Sequence, residues 1–160
     1  MIGSTRVRFL QISIDPEVKR VIAEFYKQEK QLKNDPAWRK QFEHRLAIAL
    51  HDWGQEMINL YLDGDTTELS KREYYSNQQN YESFPVLFAV ALRLLEPNHP
   101  LHPPLLVKEH YFTGLIARLK AQKIGNALAL LEQAIEEQKK SLDLDDKAAY
   151  VHNELGLLYL

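Results

Sequence analysis

The sequence predicts an all-α protein of six to seven helices, and three observations carry that prediction. Apolar residues recur at three- and four-residue spacing over most of the 160-residue chain, which is the spacing of one helical face. Two Asp-Pro pairs, Asp15-Pro16 and Asp35-Pro36, stand where helices start. An Asp N-cap accepts an orphan backbone N–H, and Pro at the first helical position has no donor to lose. Only residues 7–14 alternate like a strand, through Leu10, Ile12 and Ile14. A lone strand has nothing to pair with, so an extended or helical arm is expected there.

The first helix is expected over 16–33, with Val18, Val21, Ile22, Phe25 and Leu32 on one side and Glu29 among them. The second starts at Pro36 and carries Trp38, Phe42, Leu46, Leu50, Trp53, Met57 and Tyr61 along one stripe, ending near Asp63-Gly64. At ~1.5 Å per residue it is roughly 40 Å long and needs neighbours of similar length. Gly54 in its middle costs about 1 kcal/mol relative to Ala, so it marks a close helix–helix approach or a bend. Asp65-Thr66-Thr67-Glu68 has capping-box spacing and opens a more polar third helix over 67–78, whose Tyr-, Asn- and Gln-rich end reads as a loop.

A fourth helix, 85–96, is apolar nearly all round and must be buried on most sides. Pro97, Pro100, Pro103 and Pro104 then enforce an irregular connection over 97–104, because each residue before a proline is biased away from the α region. That connection separates a helical amino-terminal region, 1–96, from a carboxyl-terminal region, 105–160, with helices expected over 105–121, 124–141 and from 146 onward.

Composition removes several function classes. A 45% hydrophobic, 26% charged chain can bury one real core, which excludes intrinsic disorder and disulfide-dense miniproteins. Twenty Lys and Arg against twenty-two Asp and Glu leave a formal charge of −2 and no positive field to hold a polyanion, so nucleic acid is an unfavoured partner. The absence of cysteine removes disulfides, thiolate nucleophiles and Cys-ligated metals, and suits a reducing, cytoplasmic setting. Arg6 and Arg8 interrupt the only apolar stretch near the amino end, so no secretory leader is read there, and no run is long enough to cross a bilayer.

The residues that bear chemistry do not assemble into a catalytic or metal site. His44 and His51 are seven residues apart, about two helical turns or roughly 10 Å, too far for one ion. His99 and His102 have no carboxylate or cysteine beside them. A calcium loop from Asp63 fails at its sixth and twelfth positions, Glu68 and Tyr74, and one from Asp143 fails at Lys147 and Ala148. There is no Gly-x-Ser-x-Gly elbow and no glycine-rich phosphate cradle. Catalytic residues, cofactors and metals are therefore expected to be none. Basic residues of the first two helices, among them Lys19, Arg20, Arg39, Lys40 and Arg45, read as solvated partners of Glu24, Glu29 and Glu43. Tyr74, Tyr75, Tyr81 and Phe84 form an aromatic group that either anchors a peptide or packs the core, and packing is the expectation.

The last fifty residues compare with themselves. Tyr111-Phe112-Thr113-Gly114-Leu115 recurs in style as Asn153-Glu154-Leu155-Gly156-Leu157, with glycine repeated 42 residues apart and a partner helix, Ala127 to Ile135, between. Glycine inside a helix is costly, so it marks a second backbone passing close by. Leu155-Gly156, Tyr159, Ala134 and the acidic turn Asp143-Leu144-Asp145-Asp146 resemble the tetratricopeptide repeat family over the last third of the chain. The departures are a period longer than 34, Thr113 where the family favours leucine, and a turn without proline.

That resemblance implies an antiparallel helix-hairpin array, an α-solenoid whose first helices line a peptide-binding groove. It implies a non-enzymatic scaffold or adaptor holding a peptide or helix of a partner protein. The implied contacts are Asn126 and Asn153, with Lys108, Arg118 and Lys120 for an acidic ligand. The final helix adds Leu157 and Leu160 on a face that no following helix covers. Either the chain is a fragment of a longer repeat protein, or that face docks on a partner or a second copy. The alternatives are a homo-oligomerisation or regulatory module of a larger protein and a helical nucleic-acid-binding module.

Overall fold

The computed structural model describes residues 20, 23, 24, 27, 35–73, 81–125 and 127–160. Among them are six α-helices and no strand: α1 (Pro36–Leu62), α2 (Thr66–Glu73), α3 (Ser83–Leu94), α4 (His102–Lys123), α5 (Leu128–Leu144) and α6 (Ala149–Leu158). The arm expected over 7–14 lies outside the described residues. So does the helix expected over 16–33, apart from Arg20, Ala23, Glu24 and Lys27, which are helical.

Local chemistry sets the helix ends. The Asp35 carboxylate accepts from the N–H groups of Ala37 and Trp38 at 3.0 and 3.1 Å, and Pro36 follows in the first turn. Helix α1 closes on Gly64 at φ 73°, a left-handed position that L side chains avoid. Asp65 then caps α2 by accepting the Glu68 N–H at 2.8 Å. Helix α4 starts at His102, earlier than the expected 105, because Pro103 and Pro104 occupy first-turn positions whose N–H groups have no helical partner to lose. Ile124 and Gly125, the latter at φ 77°, form the turn into α5, which delays that helix to residue 128. The described part of α2 runs to Glu73, and the remainder of that helix's expected span, 74–78, lies outside the described residues.

Helix α4 is the axis of the molecule. It lies along α5, packs on α3, and touches α1 and α6. Leu105, Tyr111, Phe112, Leu115, Leu119 and Ala121 on it are all fully buried. One continuous core runs from Phe42 to Val151 across the proline connection. At its centre Phe84 stacks on Phe112 at 4.3 Å and 7°, flanked by Trp53, Phe88 and Tyr81. Of the aromatic group read in the sequence, Tyr81 and Phe84 are therefore core residues; Tyr74 and Tyr75 lie outside the described residues.

Two glycines admit a neighbour as expected, and the third does not. A Cβ on Gly54 would overlap the Phe88 ring, whose Cε1 would stand 3.0 Å away. A Cβ on Gly114 would meet Gln138 and the Ala134 carbonyl, the latter at 3.1 Å. This lets Gln138 donate to the Tyr111 carbonyl at 3.0 Å while Ser141 donates to the Val107 carbonyl at 2.7 Å. These pairings, with residue numbers rising on α4 as they fall on α5, make the two helices an antiparallel hairpin. Among the described residues nothing lies within 4 Å of the Gly156 Cβ position.

The two repeat glycines should accordingly respond in opposite directions. Gly114→Ala is expected to lower stability by about 1–2 kcal/mol through overpacking. Gly156→Ala should raise it by about 0.5–1 kcal/mol from helix propensity alone. Urea unfolding of the two variants beside the parent measures both.

Candidate functional site

Several places among the described residues bring polar side chains together, and three involve buried groups of α4; the first is a cluster where α2 meets α1 and α4. Arg72, 4% exposed, donates from Nε to Glu68 Oε1 at 2.9 Å and from Nη1 to the Tyr111 hydroxyl. The Tyr81 hydroxyl donates to the same Glu68 oxygen at 2.7 Å. The guanidinium also lies 4.0 Å above the Tyr61 ring, a cation–π contact that is stronger out of water. Among the described residues Glu68 Oε2 accepts no hydrogen bond, and Lys71 Nζ faces it at 3.7 Å. Burial holds the Tyr111 and Tyr81 hydroxyls above the ordinary phenol range, so both remain protonated donors or acceptors.

The second place joins α4 to α6. Arg118 and Glu154 are paired with both side chains inside, the second contact, Nη2 to Oε2, being 3.3 Å. The ring of Tyr150 stands edge-on to Tyr111 at 4.8 Å and seals the same interface.

The third place lies between α4 and α1. The stem of Lys108 passes the bare backbone of Gly54, with Cδ 3.6 Å from that glycine's Cβ position. Its Nζ meets His51 Nε2 at 3.1 Å, and His51 Nδ1 meets Asp52 Oδ1 at 3.0 Å. Burial pushes the Lys108 amine down to about 8, with Asp52 and Asp145 acting in the opposite direction. Beside Asp52 an open recess of about 330 Å³ follows α1, lined by Asp52, Gln55, Glu56, Asn59, Leu60 and Asp63.

Against this geometry the residues expected to touch a partner divide. Lys108 is 3% and Arg118 5% exposed. Each is turned inward to a partner on another helix, so neither is a surface contact, which corrects their assignment to an acidic ligand. Lys120 is partly exposed and its Nζ is 3.5 Å from Glu82. Asn126 lies outside the described residues. Asn153, Leu157 and Leu160 are exposed. With Gly156 they fall at i, i+3, i+4 and i+7, one stripe along α6 and just past its end.

The histidines also take up unforeseen places. His51 joins Lys108 instead of His44, whose ring meets His99 edge-on at 4.9 Å. Among the described residues no three His, Cys, Asp or Glu side chains gather as a metal site, and no helix is long and apolar enough to cross a membrane. The Lys108–His51–Asp52 chain escaped the sequence reading because its members are 57 residues apart. Glycine at 54, beside His51 and Asp52, was its one local signal. Comparison with protein-family models, curated proteins and solved structures returns no match.

Two stability effects follow. Because folding depresses the Lys108 pKa to about 8 from an unfolded value near ~10.4, the unfolded chain holds the extra proton between those limits. Stability must rise with pH there, on the order of 1 kcal/mol per unit, before tyrosine ionisation in the unfolded chain opposes it near ~10. Urea unfolding at intervals from pH 7.5 to 9.5 should show the slope, and Lys108→Met should flatten it while gaining about 1–3 kcal/mol at pH 7. Removing one partner of the other pair acts oppositely. Glu154→Ala leaves Arg118 buried and unpaired and should cost about 3–5 kcal/mol, whereas Arg118→Met with Glu154→Leu should recover most of that loss.

Proposed function

We propose that this chain is a non-enzymatic scaffold that holds a helix or peptide of a partner protein against the outer face of α6. The observation that carries the reading is the stripe Asn153, Gly156, Leu157 and Leu160, which offers apolar side chains beside uncovered backbone. Leu157 is 45% exposed and Leu160 fully so. The hairpin inside the same chain supports it. At Gly114, 42 residues before Gly156, a neighbouring helix lies close enough for its Gln138 and Ser141 to bond α4 carbonyls. A preformed helix loses little entropy on binding, so a few buried contacts suffice for a reversible complex. The buried Lys108 and Arg118 take no part. Asn153 and the two leucines supply recognition, and an antiparallel helix-hairpin array of tetratricopeptide-like form supplies rigidity.

A tagged chain should retain the same protein partner from cell extract reproducibly, and Leu157→Asp with Leu160→Asp should release it. Because both side chains face water, the double variant should unfold within about 0.5 kcal/mol of the parent. Light scattering of the purified chain tests the alternative, in which the same face joins two copies. A dimer lost in the double variant would replace the adaptor reading.

A further inference from the structure

We infer that the occupant of the α6 face is an antiparallel helix with a small residue over Gly156, a side-chain amide and a hydroxyl for the Asn153 and Ala149 carbonyls, and cations at its carboxyl end. The inference rests on the α6 reading above and adds the partner's chemistry to it. Its first support is a residue-by-residue correspondence inside the chain. Ala149, Asn153, Gly156 and Leu160 form one exposed stripe along α6 and just past its end. Val107, Tyr111, Gly114 and Arg118, each 42 residues earlier, form a stripe of α4 that is buried.

Three of those four α4 positions are where α5 is seated. Ser141 donates to the Val107 carbonyl at 2.7 Å and Gln138 to the Tyr111 carbonyl at 3.0 Å. At Gly114 the Ala134 carbonyl would stand 3.1 Å from an added Cβ. A helical carbonyl already accepts one N–H four residues on, and the amide and hydroxyl of α5 use its second lone pair. Ala149, Asn153 and Gly156 offer the same three features, two carbonyls and one bare backbone position, on an exposed face. A small residue, an amide four positions on and a hydroxyl three beyond it, as in Ala134, Gln138 and Ser141, is therefore the pattern that fits.

Charge complementarity adds the second support and sets the occupant's polarity. Asp143, Asp145 and Asp146 are exposed around the start of α6, and Lys147 is the only cation among residues 143–149. An antiparallel helix brings its carboxyl end to this acidic turn, and its own dipole favours cations there as well. With its amide at Asn153 and its hydroxyl at Ala149, the occupant's next residues pass toward Asp146 and Asp145.

The probe is a synthetic peptide of the α5 sequence, residues 128–144, which holds Ala134, Gln138 and Ser141 at the required spacing, made with Asp143→Lys to place a cation at its carboxyl end. Titrated into the isotope-labelled full chain and followed by NMR, it should shift the amides of residues 149–160 saturably. Gly156→Ala, expected to stabilise the free chain, should weaken this binding about tenfold, because the added methyl meets the peptide as it would meet α5 at Gly114. The peptide without Asp143→Lys should bind about threefold more weakly at low salt, the difference shrinking as salt rises. No saturable shift at 149–160, or equal binding by Gly156→Ala, overturns the inference. So do shifts confined to α4, which mean exchange with α5, and concentration-dependent shifts of 149–160 in the chain alone, which make a second copy the occupant. Leu157→Asp with Leu160→Asp separates this inference from the α6 reading. A cellular partner lost in that double variant but kept by Gly156→Ala leaves α6 as the docking face and removes only the helix seated on its glycine; a partner kept by both removes the face itself.

Discussion

A helix covered on most of its sides must find a partner for every charge it buries, and α4 is that helix. Tyr111, Phe112, Leu115 and Leu119 give it the apolar surface that draws α1, α3, α5 and α6 around it. Lys108 and Arg118 come along in the same register and cannot turn outward without unseating their neighbours. The consequence is visible on two sides. Helix α6 supplies Glu154 to Arg118, and α1 supplies His51 to Lys108. Helix α2, the most polar of the six, adds Arg72 to the Tyr111 hydroxyl and brings Glu68 to neutralise it. The placement of the other helices is thus tied to the polar residues of α4 as much as to its apolar ones. Such pairs contribute little net stability against a hydrophobic alternative, but they penalise a misregistered packing heavily.

Close approach is the second constraint, and glycine decides where it occurs. Gly54 and Gly114 each leave space that a neighbour fills, Phe88 and the Lys108 stem at the first and Gln138 at the second. Removing the Cβ does more than shorten an interhelical distance. At Gly114 it exposes a backbone carbonyl on which a side-chain amide settles, so α5 is fixed by directed hydrogen bonds as well as by apolar contact. Gly156 repeats the sequence feature without the neighbour, which makes it a helical glycine whose roughly 1 kcal/mol cost nothing within the described residues offsets.

Helix identity and many helix ends were legible in the residues themselves. Asp35 before Pro36, Gly64 after Leu62 and the Asp65–Glu68 spacing act over a few residues, and each does what its chemistry dictates. Gly54 and Gly114 were legible as points of contact, though not which residue would arrive. Burial of charge was not legible. Lys108 and Arg118 look like surface residues, because the groups that satisfy them lie 57 and 36 positions away and no local pattern announces such a pairing. The segment 85–96, apolar nearly all round, read as buried on most sides, and Leu87, Phe88, Val90 and Ala91 are buried while Val86 is 44% exposed. Helical periodicity reports where apolar residues lie; it is silent on polar ones that the fold takes inside.

The contrast between the two inward-facing cations of α4 is the most informative asymmetry in the molecule. Arg118 is answered by a carboxylate held against it, so its charge is compensated where it sits. Lys108 is answered by an imidazole, which offers a lone pair in place of a full negative charge, and the carboxylate that orients the imidazole is one bond sequence further out. Folding therefore weakens the basicity of one cation and compensates the other, although the two are less than three helical turns apart on the same helix. A methionine at 108 would fill the same space beside Phe88 without the desolvation penalty.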